Sequence, residues 1–114
     1  MTKQTQDYQD LLSFLLGPLR ERPGMYLGEP KISKLVNFIS GYMICLGITN
    51  NDDKYFDNPG FLSWFYKKYN LDMTSYWIDP FLKEANGDEK KALQLYFNYL
   101  EEYSKSISEQ INKM

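Results

Sequence analysis

From Asp88 onward, Ala92, Leu93, Tyr96, Phe97, Leu100, Tyr103, Ile107 and Ile111 recur at the three- and four-residue spacings of a single helix face. Asp88 is a good N-cap for that helix, and Glu89 in its first turn suits the helix dipole. At about 1.5 Å per residue the helix is roughly 40 Å long. An apolar stripe of that length must be covered by several other elements. Since no useful period-2 alternation occurs anywhere, those elements must also be helices.

The rest of the chain supplies them. Tyr8, Leu11, Leu12, Leu15 and Leu16 predict a helix from about Thr5, which Gly17-Pro18 should end. Residues 18–30 hold three of the five prolines. Leu19, Met25, Tyr26 and Leu27 make this stretch a structured connection whose apolar residues want burial, with a turn at Pro23-Gly24. A second helix is expected from about Ser33 to Leu46, apolar over more than half its circumference, with Cys45 as a small core residue. After the polar stretch 49–60, Asn58-Pro59 should cap a helix through Phe61, Leu62, Trp64, Phe65 and Tyr69. The next helix starts either at Thr74 or Ser75, or as a short piece capped at Asp79 with Pro80 leading it, and Asn86-Gly87 is a turn. The expected fold is all-α, a single domain over 1–114 of about five helices with a long C-terminal one.

Composition narrows what such a bundle can do. The 114 residues carry 13 Lys+Arg against 15 Asp+Glu, a net charge of −2, which argues against a dedicated nucleic-acid binder. There is no His and one Cys, so imidazole catalysis and an intrachain disulfide are excluded, and no metal or cofactor motif is present. No apolar run is long enough to span a membrane, and the opening MTKQTQDYQD lacks the basic-then-apolar order of a signal peptide. A cytoplasmic, non-enzymatic protein is the expectation. Aromatic residues reach 17%, ten of them Tyr. They are read either as core or as anchors on a recognition surface.

Arg22, Pro23, Gly24, Met25, Tyr26 and Gly28 form the densest local motif. Arg-Pro-Gly-Met-Tyr-x-Gly resembles a segment near the start of the ATPase domain of type II topoisomerase subunits. In that family a helix with a Glu base and an Asn magnesium ligand follows. Here the following helix has no Glu, Ser33 stands four residues before its Asn37, and no glycine-rich lid follows, so ATP hydrolysis is rejected. The motif is then read as a packing device in which Gly24 and Gly28 supply the bends and Tyr26 packs between helices.

A broader pattern joins Arg22 to Gly28, Gly41-Tyr42, Phe61 to Trp64, Trp77, and Asp88-Glu89 with Ala92, Tyr96-Phe97 and Leu100. In this order the chain resembles small bacterial immunity proteins encoded beside polymorphic or contact-dependent toxins. The resemblance implies stoichiometric binding of a cognate toxin domain without catalysis. If that toxin is a nuclease, its basic active site favours an acidic inhibitor face. The residues expected to bind are Asp52, Asp53 and Asp57 with Tyr55 and Phe56, then Asp72 and Asp79, and then Glu101 and Glu102. The plainer alternatives are a solvated loop tip for Asp52-Asp53, a core plug for Tyr55-Phe56 and the wet face of a helix for Glu101-Glu102. Arg20 and Arg22 are expected to pair with carboxylates of the same fold. A second function class remains open: a small adaptor that homodimerises through Tyr96, Tyr99, Tyr103, Ile107 and Ile111.

Overall fold

A computed structural model describes residues 3–50, 61–71 and 76–112, with side chains described over 9–42, 44–45, 61–71 and 76–109. Among the described residues six α-helices follow in order: α1 (Lys3–Phe14), α2 (Pro23–Leu27), α3 (Ile32–Asn50), α4 (Phe61–Lys68), α5 (Asp79–Glu84) and α6 (Glu89–Asn112). The fold is all-helical, and the 24-residue α6 is its spine. It packs against α3, α4, α5 and the segment that follows α1.

The core forms where these helices meet. Leu11, Leu15 and Leu19 come from the first helical segment, Ile32, Leu35 and Ile39 from α3, Phe61 and Phe65 from α4, and Phe81 from α5. All are buried against the α6 stripe of Ala92, Leu93, Tyr96, Phe97 and Leu100. Much of the contact is ring against ring. Tyr96 meets Phe61 edge-on at 5.4 Å and Phe81 at 5.6 Å, and Phe65 stacks on Phe81 at 4.9 Å. Trp64 is only half-buried, packed on Tyr103 at 5.4 Å with the Lys68 ammonium 5.0 Å from its ring centre.

Asp88 caps α6 as expected: its Oδ1 accepts from the backbone N–H groups of Lys90 at 3.0 Å and Lys91 at 3.1 Å. The short form of α5, with Pro80 in its first turn, is the one adopted, but its N-cap is Ile78 rather than Asp79, which is the first helical residue. Asn86 and Asn70 both take positive φ, each closing a helix by a pair of backbone bonds: Gly87 N–H to Leu82 C=O and Asn86 N–H to Lys83 C=O after α5, Leu71 N–H to Tyr66 C=O and Asn70 N–H to Lys67 C=O after α4.

Four expectations are corrected. Gly17-Pro18 does not stop the first helix; residues 15–19 widen into a π-helical turn that carries Pro18 inside it, and Arg20 N–H bonds back to the Leu15 carbonyl. The wider turn accommodates a ring that would collide with the preceding turn of an α-helix. Pro23-Gly24 is not a reverse turn but the start of α2, with Pro at the N-terminus where its missing N–H costs nothing; only Gly28 in this segment takes positive φ. Met25 is 69% exposed, and Tyr26 is exposed on one side while its edge meets Phe14 at 5.0 Å. A single helical turn offers one inward face, and it goes to Leu27. Cys45 is exposed and Ile44 with it, because α3 buries one stripe rather than most of its circumference.

Tyr96 is fully buried and its hydroxyl has no hydrogen-bond partner among the described residues. Burial alone pushes its pKa upward. A buried hydroxyl without a partner costs desolvation free energy that its ring contacts must exceed. Tyr96→Phe is therefore expected to be neutral or to stabilise the fold by up to about 1 kcal/mol in urea denaturation. Asp88→Ala, by contrast, should lose about 1 kcal/mol, since two first-turn N–H groups of α6 lose their acceptor.

Candidate functional site

The surface that combines exposed aromatic area with fixed carboxylates is built on α4, the turn after it, α5 and the middle of α6. Its position follows from the packing of Phe65. That ring is buried, and around it stand Tyr66 at 5.9 Å, Tyr69 at 5.3 Å and Tyr99 at 4.9 Å. Tyr69 and Tyr99 meet edge-on at 5.3 Å. Tyr69 is the last residue before Asn70 turns the chain, so its ring lies at the rim of the core with its hydroxyl outward.

Carboxylates hold both hydroxyls. The Tyr69 hydroxyl lies 3.0 Å from each oxygen of Glu102, and the Tyr99 hydroxyl donates to Glu84 at 2.8 Å. Lys68 pairs with the same Glu102. Burial, followed by the bond to Glu84, pushes the Tyr99 pKa up to about 12, and burial followed by the bond to Glu102 raises that of Tyr69. Both phenols are thus firmly protonated donors at neutral pH. Glu102, bonded chiefly by Lys68, is held below the usual carboxylate range.

Next to this cluster, Leu71 and Tyr76 are 39% and 54% exposed. Leu71 is tied to Tyr66 by a backbone hydrogen bond, and the Asp79 N–H bonds to the Tyr76 carbonyl at 2.9 Å. The charge of Asp79 reaches Tyr66 and, after burial, helps raise its pKa. These elements therefore carry Tyr69, Leu71 and Tyr76 as exposed apolar groups, Asp79, Glu84 and Glu102 as acids, and Lys67, Lys68 and Lys83 as bases.

Of the residues expected to bind a partner, Asp79 is exposed on this face. Asp52, Asp53, Tyr55, Phe56, Asp57 and Asp72 lie outside the described residues, as do Asn58-Pro59, Thr74 and Ser75. Glu101 and Glu102 are neither a free acidic patch nor a merely wet face, because both are engaged across helices. Glu101 takes the Arg20 guanidinium at 2.7 Å, which fulfils the pairing expected of that arginine, and Lys105 at 3.4 Å. The seam proposed for a dimer is largely used within the chain: Tyr96 is in the core, and Tyr99 and Tyr103 pack inward on α4. In the Arg22 to Gly28 motif, Arg22, Met25 and Tyr26 line a shallow cleft of about 350 Å³ together with Gly17, Pro18 and Glu21.

Sequence reasoning passed over Tyr69, Tyr76 and Glu84. The available signal was the position of Tyr99, one step off the stripe of Tyr96, Leu100 and Tyr103, which puts it at the edge of the buried face. Comparison with family models, curated proteins and solved structures gives no match for this chain. Among the described residues there is no cluster of His, Cys, Asp and Glu able to hold a metal ion, and no helix long and apolar enough to cross a membrane.

Three carboxyls with lowered pKa values give the fold an acid dependence. Glu89 is lowered chiefly by hydrogen bonding from Ser33, Glu101 chiefly by Arg20, and Glu102 chiefly by Lys68. Near their ordinary value of 4.5 the unfolded chain binds protons that the folded chain does not. The stability they supply is present above that pH and is lost as pH falls through the lower folded values. Urea denaturation as a function of pH should show stability falling below about pH 5, and Glu102→Gln should make that fall shallower. An unchanged slope in the variant would show that Glu102 titrates alike in both states.

Proposed function

We propose that this chain is a non-catalytic immunity protein, held in the cytoplasm, that binds and neutralises a cognate bacterial toxin domain. The face of α4, α5 and α6 is the docking surface. The observation that carries this reading is the combination of exposed Tyr69, Leu71 and Tyr76 with Asp79, Glu84 and Glu102 on α4, α5, α6 and the segment between α4 and α5. Tyrosine supplies large contact area with few rotatable bonds, and it is enriched among the residues that dominate interface energetics. Tyr69 is already held by a carboxylate, as is the neighbouring Tyr99, which lowers the entropy lost on binding. Asp79, an exposed acid without an ion-pair partner among the described residues, suits a cationic group on a basic partner, such as a nuclease active site. The family pattern described above adds the same expectation from an independent direction.

The test is co-expression with the toxin domain encoded beside this chain. The wild-type chain should restore growth. Tyr76→Ala combined with Asp79→Lys should abolish protection while the melting temperature stays within about 2 °C, since both side chains are exposed. Protection that survives the double variant would place the docking surface elsewhere. Failure of the wild-type chain to protect would reject the function itself.

A further inference from the structure

Beyond Tyr103 the apolar row of α6 runs on through Ile107 to Ile111, past the stretch that α4 and α5 cover. The nearest cover is α1, but the two helices splay: α6 packs against the π-helical turn at 15–19 and diverges from α1 itself. The wedge between them is a groove of about 540 Å³, with room for several side chains rather than one. Leu12 and Leu16 line one wall and Ile107 the other. All three are half-buried, so each keeps apolar surface that nothing in its own chain covers.

Among the described residues none that lines the groove is charged. Apart from the three apolar ones, the lining is Gln9, Ser13, Gly17, Ser104 and Ser108. Lys105 and Glu109, the charged residues nearest Ile107 on α6, stand two positions to either side of it and therefore about 200° around the helix axis. Asp, Glu, Lys and Arg make up 25% of the chain, so a face without them is set apart from the rest of the surface. Loss of charge around an apolar centre marks the core of an interface rather than a solvated face.

We propose that a second copy of this chain fills the groove, with the end of each α6 lying antiparallel in the groove of the other about a two-fold axis. Copies of net charge −2 repel one another through their charged surfaces, so an uncharged face is where they can approach. Ridge and groove are neighbours on the same molecule, as an isologous contact requires. An axis passing α6 beside residue 109 sets Ile107 of one copy against Ile111 of its partner, and the reciprocal pair forms at the same time. The face measures roughly 13 Å along α1 by 20 Å across two helices. That is smaller than the roughly 800 Å² per partner of a standard interface, so the pair is weak and depends on concentration. The α4 and α5 face stays open, because Glu101 reaches Arg20 after α1 whereas Glu102 reaches Lys68 on a different side of α6.

The experiment is sedimentation equilibrium of the full chain from roughly 10 μM to 1 mM. The mean mass is expected to rise from 13.5 kDa toward twice that value. Ile107→Glu and Gly17→Arg should each weaken the association by at least about tenfold. Gly17→Arg crowds the groove without burdening the fold, since a Cβ at that position meets nothing within 4 Å. Its melting temperature should not fall, so it remains decisive if Ile107→Glu unfolds. In a Cys45→Ser background, chains carrying Ile107→Cys should form a disulfide with chains carrying Ile111→Cys, and neither should cross-link with itself. Self-linking in preference to the mixed pair would overturn the antiparallel arrangement. A mass that stays at 13.5 kDa throughout, or association untouched by both Ile107→Glu and Gly17→Arg, would overturn the proposal. So would amides of 104–108 that shift only when a toxin domain is added, which would give the groove to that partner instead.

Discussion

The apolar stripe of α6 is longer than any partner that could cover it alone, and the order of the other helices follows from that constraint. Tyr96 is enclosed by Phe81 of α5, Phe61 of α4 and Trp77. Tyr99 and Tyr103 are taken over by α4 through Phe65, Phe61 and Trp64. Beyond them Ile107 faces Leu12 and Leu16 across a groove of about 540 Å³. Aromatic side chains suit this arrangement because each ring can touch several elements at once, edge to one and face to another. The aromatic content of the chain is thus explained mainly by one helix needing several neighbours.

How legible this was depended on whether a feature is local. The α6 stripe, the Asp88 cap, the Asn86-Gly87 turn and the short α5 behind Pro80 each follow from a few adjacent residues whose backbone preferences agree. The π-helical turn at Pro18 was not legible. A proline after a glycine ordinarily ends a helix, and only the burial of Leu15 and Leu19 on either side keeps the chain turning in the same sense. The exposure of Met25 and Cys45 depends on which face of α2 and of α3 meets a neighbour, and composition does not encode that. Likewise the partners of Glu101 and Glu102 are far away in sequence, and their pairing depends on how the segment after α1 and α4 lie along α6. At the candidate site, Asp79 was foreseen as acidic and exposed. The tyrosines around it were legible as aromatic but not as surface.

The charges are arranged with the same economy. Glu84 and Glu102 fix two tyrosine hydroxyls on one face, while Arg20 is fixed by Glu101 and Asn98 on another. In each case a carboxylate sets the direction of a group on a different helix, so polar contacts orient helices whose apolar contacts alone would let them slide. Surface pairs of this kind contribute little to stability one by one. Their larger effect is on which rotamers the exposed groups hold.

Glu89 has a consequence of a different sort. It belongs to the first turn of α6, yet its carboxylate accepts the backbone N–H of Ser33 at 3.1 Å and so closes the start of α3. The beginnings of two helices far apart in the chain are thereby joined. Unwinding the start of α6 strips the Ser33 N–H of its acceptor, and unwinding the start of α3 strips the Glu89 carboxylate of its donor, so opening of the two ends is coupled through this one bond.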